Sequence, residues 1–358
     1  MQLAFELSGE HETLPRAELL ASLDALRISY TIKLVTGRIF VIEVQIAPES
    51  AELVELARRL GMTHQVYEVL GQSGLHDHAL LTLIERADLE SVMGTGSTFA
   101  LCLHFMALNR LYTQREALLK VLGECIARKG YTVDLKKPAK TFVLLFTADA
   151  CFLCTRKCRI DKRQFGDKRP HARPFFLPGV IMPKVARAIV NLSGIRATER
   201  LLDPFCGTGG ILLEGAMLGA RVVGADIQRK MVYGAQKNMA FFTMPCELII
   251  SDATRLPLRS ESIDAVVTDL PYGRASVVAA SSCIPDDKDA RAEYLARLYE
   301  AALVEIHRVL KSGKRAVVVS NSPSLPALTR GKGFLLCDEH AYRVHKSLTR
   351  YITVLERA

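Results

Sequence analysis

The sequence lacks the long apolar run that a membrane-spanning helix needs, because no stretch reaches about 18 uninterrupted apolar residues. It also lacks the basic region followed by an apolar run that begins a signal peptide, since the chain starts MQLAFEL. It has no internal repeat and no low-complexity tract. Its nine cysteines, without a secretion signal, favour a reducing compartment over a disulfide framework. We therefore expect a cytoplasmic protein that has no membrane partner.

The composition is that of a globular protein with a well-filled core. Hydrophobic residues make up 49% and charged residues 24% of the chain, which excludes disorder, collagen and coiled coil. Its length of 358 residues exceeds one ordinary domain, so we expect two or three.

The hydrophobic pattern changes along the chain. Residues 1–60 have the pattern strand, helix, strand, strand, helix, and residues 61–155 add further strands and a helix. From residue 199 strands alternate with helices, which predicts an α/β fold with a parallel sheet covered on both faces. The last two strands have no helix between them, which predicts antiparallel pairing.

Basic residues concentrate in one short segment of a chain whose formal net charge is +9. Such a band suggests a polyanion held near the middle of the chain, and a solvated linker is the alternative interpretation. Only Asp161 and Asp167 oppose the basic residues of the band, which are Arg156, Lys157, Arg159, Lys162, Arg163, Lys168, Arg169 and Arg173.

A glycine-rich turn at residues 203–210 follows a short predicted strand and opens a predicted helix. Backbone amides in such a turn can approach a ligand at the helix N-terminus. A dinucleotide site needs a third small residue where this chain has Leu212, and a tight turn without a ligand is another interpretation. The candidate cofactor-binding residues are Asp203, Pro204, Phe205, Cys206, Gly207, Thr208 and Gly209.

Two further acidic residues end the next two predicted strands. Asp226, followed by Ile227, can hydrogen-bond the ribose hydroxyls of an adenosyl ligand. Asp252, followed by Ala253, can accept from the adenine amino group. Three acids at successive strand ends suit a neutral or cationic nucleoside rather than one with a phosphate chain. We therefore expect S-adenosyl-L-methionine, whose sulfonium is positive, as the cofactor.

The fourth strand ends in Asp269-Leu270-Pro271-Tyr272. Pro271 favours an extended conformation at Leu270, whose carbonyl can then point outward. That carbonyl and the Asp269 carboxylate can accept both protons of an exocyclic amine, which frees the nitrogen lone pair for attack on a methyl group. Tyr272 can stack on a flat base. The segment alone could simply end a strand, but its order after the glycine-rich turn favours catalysis by positioning and electrostatics.

Several segments resemble a known family. The glycine-rich turn and the Asp269 segment resemble motifs I and IV of the class I amino-methyltransferases. Residues 173–179 (RPFFLPG) and 183–187 (PKVAR) are similar to the entry of the catalytic domain in THUMP-domain tRNA guanosine-N2 methyltransferases. Residues 133–138 are similar to the end of a THUMP domain, and residues 342–350 resemble the end of those enzymes.

The resemblance implies a Rossmann-like class I methyltransferase domain preceded by ferredoxin-like and THUMP α+β domains. It implies the archaeal-type enzyme that methylates, in two successive transfers, the N2 of guanosine at position 10 of tRNA; a monomer is expected. Leu270 departs from the family motif, which usually has a first proline there, but the main-chain carbonyl is retained. The expected domains are 1–60 (ferredoxin-like), 61–155 (THUMP, RNA-binding), 156–175 (basic linker) and 176–358 (methyltransferase).

The cysteines give weaker signals. Cys151, Cys154 and Cys158 begin with metal-like spacing, but no second Cys/His pair follows at zinc-finger spacing. We therefore expect ordinary thiols and no metal site. Cys206 lies in the glycine-rich turn without an accompanying His/Asp set, so we expect no covalent nucleophile there.

Two other functions stay open from the residues alone. The chain could be an amino-methyltransferase for another tRNA guanosine, for rRNA or for adenine in DNA. It could also be a catalytically inactive RNA-binding relative, although its aspartates at four successive strand ends argue against this.

Overall fold

The computed structural model describes residues 1–47, 50–94, 96–107, 113–272 and 287–358. Up to Arg159 the elements are β1 (Gln2–Leu7), α1 (Leu14–Ala25), β2 (Tyr30–Thr36), β3 (Ile39–Val44), α2 (Ala51–Arg59), β4 (Thr63–Ser73), α3 (Asp77–Arg86), β5 (Thr98–Phe105), α4 (Arg115–Ala127), β6 (Thr132–Val133), β7 (Lys140–Phe146) and β8 (Cys151–Arg159). The later elements are α5 (Arg163–Gly166), α6 (Pro183–Leu192), β9 (Arg200–Asp203), α7 (Gly210–Met217), β10 (Arg221–Asp226), α8 (Arg229–Phe241), β11 (Glu247–Ile250), β12 (Ile263–Asp269), α9 (Lys288–Val309), β13 (Leu310–Ser320), α10 (Leu325–Thr329), β14 (Phe334–His345) and β15 (Leu348–Arg357). Within these described ranges, none of the helices combines the length and apolar character of a membrane span.

The chain divides into two compact units. The first comprises Met1–Glu10, Arg27–Arg58 and Thr63–Ile160, and the second comprises His11–Leu26, Arg59–Met62 and Asp161–Ala358. Helix α1 therefore belongs to the second unit, although it lies within the segment 1–60 for which a separate domain is expected. The boundaries of independently folding domains stay a prediction.

The first unit is built on one mixed sheet of eight strands in the order β2-β3-β1-β4-β8-β7-β5-β6. Strand β1 pairs antiparallel with both β3 and β4, so the segments 1–60 and 61–155 contribute to the same sheet. Helices α3 and α4 bury Leu80, Ile84 and Ile126 in an apolar cluster with Phe142 and Phe146 of β7. The aromatic strand positions thus form the core beneath these helices.

The second unit is built on a seven-stranded sheet in the order β11-β10-β9-β12-β13-β15-β14. The first five strands are parallel, and β15 lies antiparallel between β13 and β14. Both features confirm the predicted α/β fold with a closing antiparallel pair. Strands β9 and β12 are neighbours at the point where the strand order reverses, which is where open α/β sheets bind ligands beyond the carboxyl ends of the strands.

Helix α1 is joined to α6 in the second unit by a buried carboxylate. Glu18 is fully buried and accepts hydrogen bonds from the amides of Gly61 at 2.8 Å and Met62 at 2.7 Å. The side-chain amide of Asn191, in α6, donates to it at 3.0 Å. Burial raises the pKa of Glu18, while these hydrogen bonds and the charge of Arg187 oppose the rise. The segment 59–62 is thereby tied to both helices.

The basic band differs from an extended linker. Strand β8 continues to Arg159, so the segment 156–175 begins inside a strand. Lys157 forms a largely buried ion pair with Glu68 at 2.7 Å, and Lys168 forms a buried one with Glu214 at the same distance. Arg173 is buried as well. The exposed basic residues of the band are Arg156, Arg159, Lys162, Arg163 and Arg169.

Candidate active site

The glycine-rich turn joins β9 to α7 in a conformation that requires glycine. Gly207 and Gly209 have φ angles of +49° and +77°, which residues with a Cβ rarely adopt. A Cβ on Gly209 would lie 3.2 Å from the Cβ of Ala235 in α8. The amide of Cys206 donates to the carbonyl of Ala225 at 2.9 Å, which fixes the turn against β10. Close packing and backbone hydrogen bonds therefore hold the turn in place.

The other side chains of the turn point mostly into the protein. Pro204, Cys206 and Thr208 are buried, and Phe205 is half-buried against the apolar cluster beneath α9. Burial raises the pKa of the Cys206 thiol well above its usual value, with a further contribution from Asp203 and Asp226. A thiol held in its protonated form is a weak nucleophile.

Asp203 stabilises the turn through two hydrogen bonds. Its side chain is only 1% exposed, and its carboxylate accepts from the Thr268 hydroxyl at 2.7 Å and from the Phe205 amide at 3.1 Å. Burial, with the nearby carboxylates of Asp269 and Asp226, raises the pKa of Asp203 to about 8. The hydrogen bond from Thr268 connects this residue to the strand that ends in Asp269.

Asp226 connects the end of β10 to the turn. Its Oδ2 accepts from the amide of Gly207 at 3.0 Å, and its Oδ1 accepts from the amide of Gln228 at 2.9 Å. Burial raises the pKa of Asp226, and the two backbone hydrogen bonds oppose the rise. The next residue, Ile227, is 47% exposed, so an apolar surface lies directly beside the carboxylate.

Asp252 follows β11 at the same edge of the sheet. It is exposed, and its Oδ1 accepts from the amide and the hydroxyl of Thr254, both at 2.8 Å. Ala253 is buried beside it. The carboxyl ends of β9, β10, β11 and β12 thus bring the four predicted aspartates to one edge of the sheet.

Asn238 in α8 binds two segments that meet at the turn, and no motif in the sequence marks it. Its side-chain oxygen accepts from the amide of Phe175 at 2.9 Å. Its side-chain nitrogen donates to the carbonyls of Phe175 at 2.6 Å and Thr208 at 2.9 Å. The entry segment around residue 175 therefore lies against both α8 and the glycine-rich turn.

Asp269 ends β12 and is held by two side chains. The Tyr272 hydroxyl donates to its Oδ1, and the guanidinium of Arg350 lies 3.5 Å from its Oδ2. Burial raises the pKa of Asp269 to about 6, while Arg350 and the hydrogen bond from Tyr272 oppose the rise. The amide of Leu270 donates to Val319 of β13 at 2.9 Å, which continues the sheet for one residue beyond Asp269.

Arg350 is a site residue that the sequence patterns did not predict. It is 3% exposed in β15, its Nε donates to the Tyr272 hydroxyl at 3.2 Å, and its Nη2 donates to the carbonyl of Gly179 at 2.5 Å. One guanidinium thereby joins Asp269, Tyr272 and the entry segment. A short sequence motif could not link Arg350 to this site, because 78 residues separate it from Tyr272.

The cysteines with metal-like spacing lie in β8. Cys151 and Cys154 are buried in two different apolar clusters, as expected for strand residues whose side chains point to different faces. Burial raises the pKa of the half-buried Cys158 to about 11. In the part of the chain that the structure describes, no group of three or more His, Cys, Asp or Glu side chains could hold a metal ion.

Comparison with known proteins identifies the family. A model of the RMKL-like methyltransferase domain matches residues 170–352. A tRNA (guanine(10)-N2)-dimethyltransferase from Methanothermobacter thermautotrophicus is 36% identical, and the alignment covers 100% of both chains. This chain belongs to the tRNA (guanine(10)-N2)-dimethyltransferase family. A second member, from Pyrococcus abyssi, is 31% identical over 86% of this chain and 88% of its own.

More distant relatives share the fold. The crystal structure of TrmN from Thermus thermophilus matches 100% of both chains with a TM-score of 0.56 at 21% identity. Membership of the dimethyltransferase family confirms the expected enzyme class, the Rossmann-like methyltransferase fold and the S-adenosylmethionine cofactor.

Proposed function

We propose that this chain methylates the exocyclic N2 of guanosine at position 10 of tRNA, first once and then a second time. The observation that carries the proposal is the Asp269 carboxylate, which lies at a strand end directly beside the glycine-rich turn. Thr268 precedes Asp269 and donates to Asp203 of the turn at 2.7 Å, so a base at Asp269 and a cofactor at the turn would be neighbours. The relative that spans the whole chain is named for this reaction.

The residues at the turn fit S-adenosylmethionine. Asp226 lies beside the turn with an apolar neighbour in Ile227, which suits a ribose and the adjoining base. The exposed carboxylate of Asp252 can accept from the adenine amino group. When bound, the cofactor supplies an electrophilic methyl group on a positively charged sulfur. The acidic groups of the site favour that charge and disfavour a phosphate chain.

Two acceptors at the end of β12 prepare the guanine nitrogen. The carbonyl of Pro271 already accepts from the Tyr299 hydroxyl at 2.5 Å, so we assign the base to the Leu270 carbonyl and the Asp269 carboxylate. When both N–H groups are accepted, the nitrogen moves toward tetrahedral geometry and its lone pair becomes available for in-line attack. Tyr272 provides the stacking face and releases Asp269 as the base enters.

Asp269 also takes up the proton that the nitrogen loses. With a pKa of about 6, its carboxylate is mainly ionised at neutral pH, yet it is a better base than an exposed aspartate. Since the protein forms no covalent intermediate in this scheme, the rate gain comes from positioning and electrostatics.

We assign tRNA binding to the expected ferredoxin-like (1–60) and THUMP (61–155) segments, together with the exposed part of the basic band. The catalytic domain (176–358) contacts only the target base. The protein acts on tRNA as a cytoplasmic monomer in this proposal. Phosphate contacts then supply most of the affinity, and the second unit supplies the chemistry.

The test is methylation of transcribed tRNA with labelled cofactor, followed by nucleoside analysis and mapping of the modified position. We expect N2-methylguanosine to form first and N2,N2-dimethylguanosine later, both at position 10. A transcript with adenosine at position 10 is the matched control and should accept no label. Label at another guanosine, in rRNA fragments or in duplex DNA would contradict the proposed substrate but not the methyltransferase activity.

A further inference from the structure

Asn321 is an exposed residue at the carboxyl end of β13, next to the strand that ends in Asp269. It directly follows Ser320, the last residue of β13. Among the residues that the structure describes, its side chain has no hydrogen bond and no ion pair. A side-chain amide carries two N–H donors and one acceptor oxygen. Asn321 can therefore offer both kinds of hydrogen bond to a ligand.

Strand β12 lies on one side of Asn321. In the parallel register, Asp269 pairs with Val319, and the amide of Leu270 donates to the carbonyl of Val319 at 2.9 Å. Counted from this pair, Asn321 is level with Pro271, two residues beyond Asp269. Neighbouring strands are about 4.8 Å apart, so Asn321 lies beside the segment that receives the target base.

Strand β15 lies on the other side of Asn321. In the antiparallel register, Ser320 pairs with Tyr351, so the next position places Asn321 opposite Arg350. Because β13 lies between β12 and β15, the guanidinium of Arg350 reaches across the end of β13 to lie 3.5 Å from Asp269. Asn321 is thus flanked by both partners of this ion pair.

The backbone on either side of Asn321 is held by the hydroxyl of Ser320. Ser320 is fully buried, and its hydroxyl donates to the carbonyl of Ser322 at 2.8 Å. The same hydroxyl accepts from the amide of Ser322 at 3.3 Å. The chain therefore bends at Asn321, with the side chain exposed at the edge of the sheet. A fixed backbone that carries an available amide suits a residue that contacts an incoming ligand.

The shape of guanine indicates which of its atoms meet Asn321. When Asp269 and the Leu270 carbonyl hold the N2 amine, the ring continues from N2 in two directions. One direction runs through N3 to the ribose, which must lead back out to the tRNA chain. The other runs through N1–H to O6 and faces the protein. This edge presents one donor and one acceptor side by side, and an asparagine amide complements both.

We propose that Asn321 binds the N1–O6 edge of the target guanine. Its side-chain oxygen accepts from N1–H, and its side-chain nitrogen donates to O6. The proposal rests on the proposed function, since guanine must occupy the Asp269 site. The contact gives the ring a second anchor, so that the base cannot rotate about its N2 amine and the nitrogen lone pair stays directed at the methyl group. Because the same edge pairs with another base in a helix, Asn321 takes the place of that base once guanine has left the stack.

The test replaces guanosine at position 10 of tRNA by 2-aminopurine, which keeps the amine but lacks O6 and the N1 proton. Single-turnover methylation by the full chain is measured on both tRNAs. On guanosine, Asn321→Ala should be about 10- to 100-fold slower than wild type, because two hydrogen bonds are lost. On 2-aminopurine, the two proteins should differ little, because these bonds cannot form. Gln236→Ala removes an exposed amide of α8 and is the matched control, with no change on either tRNA.

The comparison of the two tRNAs separates base contact from structural support. A loss of the same factor on both would mean that Asn321 only supports the local structure, and no loss on guanosine would remove it from the site. If Asn321→Ala does not fold, Asn321→Asp keeps the size of the side chain but places a carboxylate against O6, and it should show the same selective loss on guanosine. A wild-type protein that leaves guanosine 10 unmethylated would overturn the proposed function and this proposal with it.

Discussion

At the scale of single residues, Asp269 has a part-buried carboxylate that Tyr272 and Arg350 hold in position. Asp269→Ala removes a charged acceptor worth about 1.5–3 kcal/mol, which corresponds to a rate loss of roughly ten- to a hundredfold. Poorer positioning of the nitrogen adds to this, so we expect near inactivity. Asp269→Asn keeps an acceptor oxygen and should be less damaging. Single-turnover methylation and thermal unfolding, measured on the same samples, test both expectations.

The same measurements separate catalysis from folding at this position. If Asp269 only ended a strand, both variants would lower the melting temperature and leave the activity of folded molecules normal. Both should still bind tRNA, because phosphate contacts dominate the affinity. An alanine variant with full activity per folded molecule would remove Asp269 from the mechanism.

Arg350 sets the pH range in which Asp269 is ionised. Among the residues that the structure describes, the groups that interact with this carboxylate are Arg350, Tyr272, Tyr299 and Asp203, and Arg350 is the one of these four that carries a positive charge. The Asp269 pKa of about 6 places the acid limb of the wild-type rate near that pH, because activity is lost as the carboxylate is protonated. Arg350→Gln removes the opposing charge, so the limb should move to higher pH.

The pH profile of single-turnover methylation measures this role of Arg350 as a positioning residue. The rate loss of Arg350→Gln should be larger at pH 6 than at pH 9, whereas Arg350→Lys should keep the limb near its wild-type position. Arg343→Gln, an exposed change in the adjacent strand, is the control. A loss of the same factor at every pH would mean that Arg350 only supports the local structure.

The sequence predicts the site residues that lie at the end of a recognisable strand. Asp203, Asp226, Asp252 and Asp269 each end a recognisable strand, and parallel strands bring their carboxyl ends to one edge. Asn238 and Arg350 lie outside that rule. The resemblance of residues 342–350 to the family covers Arg350 without giving it a role, and no motif marks Asn238. The roles of both depend on contacts across the fold, such as the bond from Asn238 to a carbonyl 63 residues away.

At the scale of elements, helix α1 is part of the second unit through its buried Glu18. Glu18→Ala leaves the amides of Gly61 and Met62 and the side chain of Asn191 without their acceptor. Each unsatisfied buried donor costs about 1–3 kcal/mol, so the variant should lose about 3 kcal/mol of unfolding free energy or more. Urea denaturation of the full chain measures this, with the exposed Glu12→Ala as control.

A loss below about 1 kcal/mol would mean that the segment 59–62 adjusts to bring other acceptors to these donors.

Truncation of the chain also tests the place of helix α1. A fragment that begins near residue 161 lacks α1 and exposes the face of α6 that α1 covers, so it should be less stable than the full chain. Ligand binding is therefore best measured on the intact protein.

Periodicity predicts the sheet of the second unit but not the place of helix α1. Alternating strands and helices predict the parallel sheet, and the final strand pair predicts its antiparallel end. The place of α1 does not follow from periodicity, because its apolar face would suit either unit. Its partner α6 lies far along the chain, with Asn191 173 residues from Glu18. The buried hydrogen bonds of Glu18, together with the burial of Leu14 and Ala21 in the core of the second unit, decide the position.

At the scale of the whole molecule, the basic band separates into structural and exposed charges. Lys157, Lys168 and Arg173 are engaged in ion pairs or buried, so they are poor candidates for contact with RNA phosphates. The number of basic residues in the band therefore exceeds the number that can contact tRNA phosphates. The exposed charges are Arg156, Arg159, Lys162, Arg163 and Arg169, of which Arg163 forms a solvent-exposed ion pair with Asp161 at 3.1 Å.

The salt dependence of tRNA binding tests this division. Removing one cation that neutralises a phosphate lowers the slope of log affinity against log salt by about 0.7–0.9, because fewer counterions are released. Replacing Arg156, Arg159, Lys162 and Arg163 together by Gln should therefore weaken tRNA binding and flatten its salt dependence. Affinity for S-adenosylhomocysteine should not change. Arg297→Gln, at an exposed site in α9, is the single-residue control and should leave the slope unaltered. A quadruple variant with the wild-type slope would mean that the exposed part of the band is a solvated surface and that tRNA is held elsewhere on the chain.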